Sequence, residues 1–327
     1  MKTLITFLTL ALCAALPLQA QEYDRVEKKS FKTTATPDIV IDSRFGTVNV
    51  HAHGIAVGEA RSGDRVTLDV TPGGPNIVNV VVSVHVAATS ESEAKRLAAS
   101  ARVEIKGDGK KVSVRTGLPK GMDEDSREQR SITIDVNITA PTGSRLNLES
   151  KFGNVNVMGI TGRVMADCGF GSVEITRCAN VRARNSFGDI TLAAIKGSLE
   201  LEAKMGGIIA RHIEGGKIHS SYGDVEISDV KGTLEVTSSM GSLSISGMRN
   251  GEITSSYGSI DLTLHTQFAG RIEATSSFGS IDSDYELQDV GKKGPGAMGE
   301  KKTGVIGSGK DHLVIKSSFG SISIEQE

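Results

Sequence analysis

The chain has 327 residues, a formal net charge of −2, 38% hydrophobic and 4% aromatic residues, 38 Gly and no Trp. The near-neutral charge excludes the basic footprint that nucleic-acid binding leaves. The apolar share, in regular alternation, excludes a disordered chain.

The first twenty residues read as a secretory signal peptide. Lys2 gives a positive start, Leu4 to Leu16 an apolar core, and Leu18-Gln19-Ala20 a small-residue cleavage site before Gln21. The apolar run is too short for a membrane span, and no other stretch approaches 18 apolar residues. Leu12 before Cys13 departs from a lipoprotein signal, which carries a small residue there. The expectation is an exported protein.

Residues 21–60 predict the first strands and a first coil, keyed by Ser43-Arg44-Phe45-Gly46-Thr47-Val48. Residues 61–131 predict an α+β insert or cap. Ile77 to Val86 is strand-like, Ser90 with Glu93 forms a capping box before Ala94, Leu97, Ala98 and Ala101, and Val103 to Val114 folds as a hairpin around Gly107-Asp108-Gly109. That β-α-β-β piece could cover an open strand edge. Leu118 to Arg130 is charged and reads as loose.

Residues 132–327 are dominated by a repeat. From Phe152 the phrase small residue, Phe/Tyr/Met, Gly, polar, Val/Ile/Leu recurs at Phe170, Phe187, Met205, Tyr222, Met240 and Tyr257, in alternating steps of 18 and 17 residues. Fixed self-similarity marks a stacked-repeat architecture. Counted from the aromatic or Met as position zero, apolar residues fill positions −4, +3 and +5, with polar residues between, so short strands flank a corner at the Gly. The fold predicted is all-β: a single-stranded, β-helix-like β-solenoid of about 17–18 residues per coil with the small insert near its N-terminus. The alternation is read as placing Phe152, Phe170, Phe187, Met205, Tyr222, Met240, Tyr257, Phe278 and Phe319 in one internal ladder. Two longer steps follow: 21 residues to Phe278 and 41 to Phe319, the second holding a Gly/Lys-rich loop at 288–311, read as mobile.

With these residues in view, the chain resembles the bacterial putative-adhesin family, also called toastrack or head-GIN-like β-solenoid proteins. The resemblance rests on the recurring phrase, on the strand Ile132 to Ala140 ending at Pro141, and on Ile306-Gly307-Ser308-Gly309 before Leu313 to Ile324. Phe, Tyr or Met before the Gly departs from the smaller residue common there. The resemblance implies an exported envelope protein, in the periplasm or at the cell surface of a bacterium, with a role in adhesion or envelope-stress signalling, and brings no catalytic residues.

Candidate chemistry is sparse. Gly304 to Lys310 resembles a phosphate loop, but Asp311 stands where Ser or Thr is required and a strand follows. Glu174, Asp189, Asp224, Glu226, Asp261 and Asp282 could stack as a calcium or acid–base ladder, or form a solvated face that keeps the solenoid soluble. His51 and His53 lie two apart on a strand and could share a metal, or be surface histidines. Cys168 and Cys178 could bridge in an oxidising compartment, though each falls in a column suited to a small buried residue. No catalytic, cofactor or metal site is expected. The functional reading is a non-enzymatic, adhesin-like binding or scaffold module presenting repetitive polar faces to an envelope protein or glycan. The alternatives are an envelope-stress accessory docking a membrane partner, and a polysaccharide-active enzyme.

Overall fold

The computed structural model describes residues 21–54, 74–118, 130–291 and 299–327. Residues 1–20, read above as a signal peptide, much of the 118–130 stretch and the centre of the Gly/Lys-rich loop lie outside the described residues.

The described chain winds as a β-solenoid. Each coil is one strand ending at the keyed residue, a bend at the Gly, and a second strand, as in Arg163–Phe170 followed by Val173–Thr176. Equivalent strands pair in parallel, so the coils build two sheets, of 14 and 13 strands. Register is kept residue for residue: Ala166 lies beside Ala183 and Leu148, and Val173 beside Ile190 and Val155. The −4, +3 and +5 columns meet between the sheets, where Leu148, Ile175, Ile190, Leu192 and Ile208 are fully buried. That shared core ties each coil to its neighbours, since a coil alone would leave its apolar side in water.

The insert lengthens both sheets. Ser131–Ala140 pairs in parallel with Val48–Ala52, then antiparallel with Ile77–Ala88, which pairs with Gln21–Lys32. On the other sheet Lys111–Gly117 lies parallel to Asp38–Phe45, and Arg102–Gly107 completes the hairpin. The helix Glu91–Ser100 starts where Ser90 Oγ accepts the Glu93 N–H, and buries Ala94, Leu97 and Ala98.

Coil order departs from sequence order at the C-terminus. The last coil, Asp311–Phe319 and Ile322–Gln326, is threaded between its two predecessors. Its first strand pairs with Asn250–Tyr257 on one side and Gly270–Phe278 on the other. Asp311 fixes the entry. It is buried, accepts both an Arg249 pair at 3.1 Å and the Ala269 N–H at 3.0 Å, and faces the Asn250 amide at 3.4 Å. Burial pushes its carboxyl up, but the Ala269 N–H and Arg249 outweigh this and hold it below the ordinary carboxylate range. The 288–311 segment is therefore not wholly a loop. Glu300–Val305 forms a strand antiparallel to Gly270–Phe278, with Gln288–Asp289 beyond it. The edge that the outermost coil would leave open supplies its partner groups.

Candidate binding edge

The keyed residues do not point into the core. Phe170, Phe187, Met205, Tyr222, Met240, Tyr257, Phe278 and Phe319 are each between 43% and 52% exposed, Phe152 is partly buried, and only Phe45, at the insert end, is buried. The expected internal ladder is an external one. The correction has a steric cause. The −2 column holds Ser150, Cys168, Asn185, Ala203, Ser220, Ser238, Ser255, Ser276 and Ser317, all buried, so the two sheets converge there on small side chains. No room remains for a ring, and the bend turns positions −1 to +2 outward. The run of Ser in that column was the available sequence signal.

The bend itself admits no side chain at the Gly. Gly153, Gly171, Gly188, Gly206, Gly223, Gly241 and Gly258 have φ between +123° and +138°. A Cβ on Gly223 would stand 2.2 Å from the Gly206 carbonyl oxygen, and each neighbouring coil repeats this. The buried −2 groups answer those carbonyls where they can. Asn185 Nδ2 donates to Gly171 O at 2.8 Å, and Ser276 Oγ to Gly320 O at 3.1 Å. Ser150, Ser238 and Ser317 Oγ have no partner among the described residues.

Because the sheet register stacks the coils, the exposed residues stack as well. Ring centroids are 5.1 Å apart for Phe45–Phe152, 5.0 Å for Phe152–Phe170, 4.6 Å for Phe170–Phe187, 4.9 Å for Tyr257–Phe319 and 4.7 Å for Phe319–Phe278. Interplanar angles run from 1° to 15°. Met205 and Met240 sit in register between Phe187, Tyr222 and Tyr257, where a polarisable thioether suits aromatic neighbours. Seven steps of about 4.8 Å make the exposed run about 34 Å long. Ring faces are thus turned to the neighbouring rungs, ring to ring in the pairs above and ring to Met side chain at Met205 and Met240.

The two sheet faces differ from this edge. On the 14-stranded sheet, Arg182 pairs with Glu200 at 3.0 Å, Arg184 with Glu202 at 3.1 Å, Lys217 with Glu235 at 2.6 Å and Lys316 with Glu252 at 2.6 Å. These are exposed, neutralised rungs, each worth little to stability. A shallow cleft of about 490 Å³ over Val181 and Leu199 is rimmed by Arg163, Arg182, Glu200 and Lys217.

The other candidates fall apart in space or have structural partners. The outward acids Glu174, Asp189, Asp224, Glu226, Asp261 and Asp282 are all exposed. Asp189 and Asp224 each accept the backbone N–H of the next coil, from Gly207 at 2.8 Å and Ser242 at 2.9 Å, and Glu226 pairs with Arg211 at 2.7 Å. Among the described residues no three His, Cys, Asp or Glu side chains gather as metal ligands. His51 is buried, not a surface residue, and burial lowers its pKa. His53 Nε2 lies 2.6 Å from Ile77 O instead of turning with His51 to a common metal. Cys168 and Cys178 are free and buried at opposite corners of one coil, the first beside Gly153 O and the second beside Thr176 O. Burial pushes both thiols up to about 11, so neither is an activated nucleophile. The Gly304–Lys310 stretch leads from a strand through turns at Gly307 and Gly309 into the last coil's strand, with no helix to cradle a phosphate.

A family model described as Toastrack DUF4097 matches residues 63–325. The chain belongs to this toastrack family. Among solved structures, the toastrack chain is similar to a "putative lipid binding protein" from Parabacteroides distasonis, at 12% identity and a TM-score of 0.46, over 92% of this chain and 96% of that one. It is also similar to a "putative adhesin" from Bacteroides fragilis, at 12% identity and a TM-score of 0.37, over 92% and 97% of the two chains. A search of curated protein sequences gave no match. No helix among the described residues is long and apolar enough to cross a membrane.

Proposed function

We propose that this toastrack protein is an exported, non-enzymatic binding and scaffold module of the bacterial envelope, and that its docking element is the exposed aromatic and Met edge. This moves the expected binding surface from the polar faces to the corner between them. The observation that carries the reading is the uninterrupted run of eight half-exposed apolar rungs. Monomeric proteins rarely leave so large a contiguous apolar strip in water without a use for it. Each rung leaves on the order of 100 Å² exposed, so covering one is worth about 2 kcal/mol before the costs of association. Even the modest gain per rung becomes substantial over several coils held in fixed register. The acids speak for a structural use, since Asp189, Asp224 and Glu226 serve neighbouring coils.

The test is in-cell cross-linking with mass spectrometry, comparing the wild-type chain with the variant Tyr222→Ser, Met240→Ser, Tyr257→Ser. These side chains are outside the core, so the variant keeps its β-sheet circular dichroism. The reading expects the dominant envelope cross-links to disappear. A folded variant with an unchanged cross-link pattern overturns it.

A further inference from the structure

We infer that the partner of this edge is a lipid surface, into whose interfacial region the aromatic and Met ridge inserts lengthwise; the inference rests on the docking role proposed above. Three observations select this occupant. Ring faces are occupied by neighbouring rungs, by stacked rings at 4.6–5.1 Å with nearly parallel planes and, at Phe187, Tyr222 and Tyr257, by Met205 and Met240 in register beside them. Sugars bind aromatic residues by lying on a ring face, so the ladder offers a glycan only edges. The ridge is also the convex bend of each coil, with the buried −2 column behind it. Two convex ridges of two copies would touch only along their crests and leave their flanks wet, short of the roughly 800 Å² per partner of a stable interface. A fluid interface conforms to both flanks along the whole length.

The third observation is charge. Beside the eight exposed rungs, positions −1 and +2 carry only Lys204, Asp189 and Asp224 among Ser and Gly residues. One oxygen of each Asp, Oδ1, already accepts a backbone N–H. Further charges lie out on the sheet faces, as ion-paired rungs on the 14-stranded sheet and as the exposed acids Glu174, Glu226, Asp261 and Asp282 on the 13-stranded one. A nearly uncharged strip rich in Phe, Tyr and Met, with small hydroxyl groups at its margins, matches the zone between headgroups and acyl chains, where amphipathic rings collect. The same neutrality predicts attachment that needs no anionic lipid and resists salt, unlike a basic patch.

The chain has no Trp, which makes the experiment direct. Tyr257→Trp puts a lone indole on the ridge, and His219→Trp puts one on the exposed face of the 14-stranded sheet. Each is mixed with phosphatidylcholine vesicles, and with vesicles that also contain phosphatidylglycerol, at low and high salt. The expected result is blue-shifted emission and vesicle flotation for Tyr257→Trp with both lipids at both salts, and no shift for His219→Trp. Each added Ser at Tyr222 or Met240 lowers partition about tenfold. All variants are prepared with the same N-terminus, so differences among them report the ridge. Binding confined to phosphatidylglycerol and reversed by salt overturns the inference. So does an indole shift that follows protein concentration without vesicles, which assigns the ridge to a second copy. Absence of both shift and flotation also overturns it. In that case, cross-links lost by the triple Ser variant would leave the docking role standing with another partner, and cross-links retained would remove both.

Discussion

Each coil turns twice, and the two corners solve the same problem by opposite means. At the first, after the aromatic or Met, the backbone is Gly, at φ between +114° and +150° in every coil but that of Phe278. At the second, seven residues after the keyed residue, the left-handed position is held by Gly159, Arg177, Ala194, His212, Asp229 and Gly247, with φ between 54° and 78°. The first range is almost closed to L residues, whereas the second is the ordinary αL well. Packing deepens the difference. A Cβ on Gly223 meets the Gly206 carbonyl at 2.2 Å, but one on Gly247 meets nothing nearer than 3.4 Å. The linings are opposite too. Small, mostly polar residues fill the inside of the first corner, while Ile160, Cys178, Ile195, Ile213, Val230 and Met248 plug the second. A solenoid can thus vary its sequence freely at one corner while the other is fixed by backbone contact.

The sharpest way to break this comparison is a pair of Ala substitutions. Gly223→Ala should cost about 4 kcal/mol or prevent folding, because both φ and the neighbouring carbonyl oppose it. Gly247→Ala should cost only about 1–2 kcal/mol, the αL strain alone. Urea unfolding of both variants checks it, and equal losses would show that contact between coils adds nothing at the first corner.

The contrast also explains what could be read from the chain beforehand. The period, the −4, +3 and +5 core columns and the helix cap at Ser90 follow from spacing, since each is a local rule. The direction of the keyed residues does not. Counting back from Phe170 by twos reaches Cys168 and Ala166, so alternation alone places the ring inside; the bend takes position −1 onward out of that count. Only the volume of the −2 column reveals it, and Ser, Cys and Ala there say that the interior has closed. The threading of the Asp311 coil was hidden for a different reason. All coils carry the same phrase, so the Phe278 and Phe319 coils fit beside the Tyr257 coil equally well by pattern. What distinguishes them is the Arg249–Asp311 contact across 62 residues of sequence.

A smaller effect separates members of the first corner's lining. Ser276 Oγ reaches a corner carbonyl at 3.1 Å, whereas Ser238 Oγ is buried with no partner among the described residues. Removing the first hydroxyl forfeits a hydrogen bond and leaves the Gly320 oxygen with one fewer donor. Removing the second relieves a desolvated polar group and leaves a methyl between Ser220 and Ser255. Ser276→Ala should therefore lower stability by about 1 kcal/mol and Ser238→Ala should leave it unchanged or raise it by up to about 1 kcal/mol. Thermal melts of the two variants decide whether the column is a hydrogen-bonding device or a space-filling one. A loss from both would mean that the hydroxyls act together on the stacked Gly carbonyls, and equal tolerance would mean that small volume is all the corner needs.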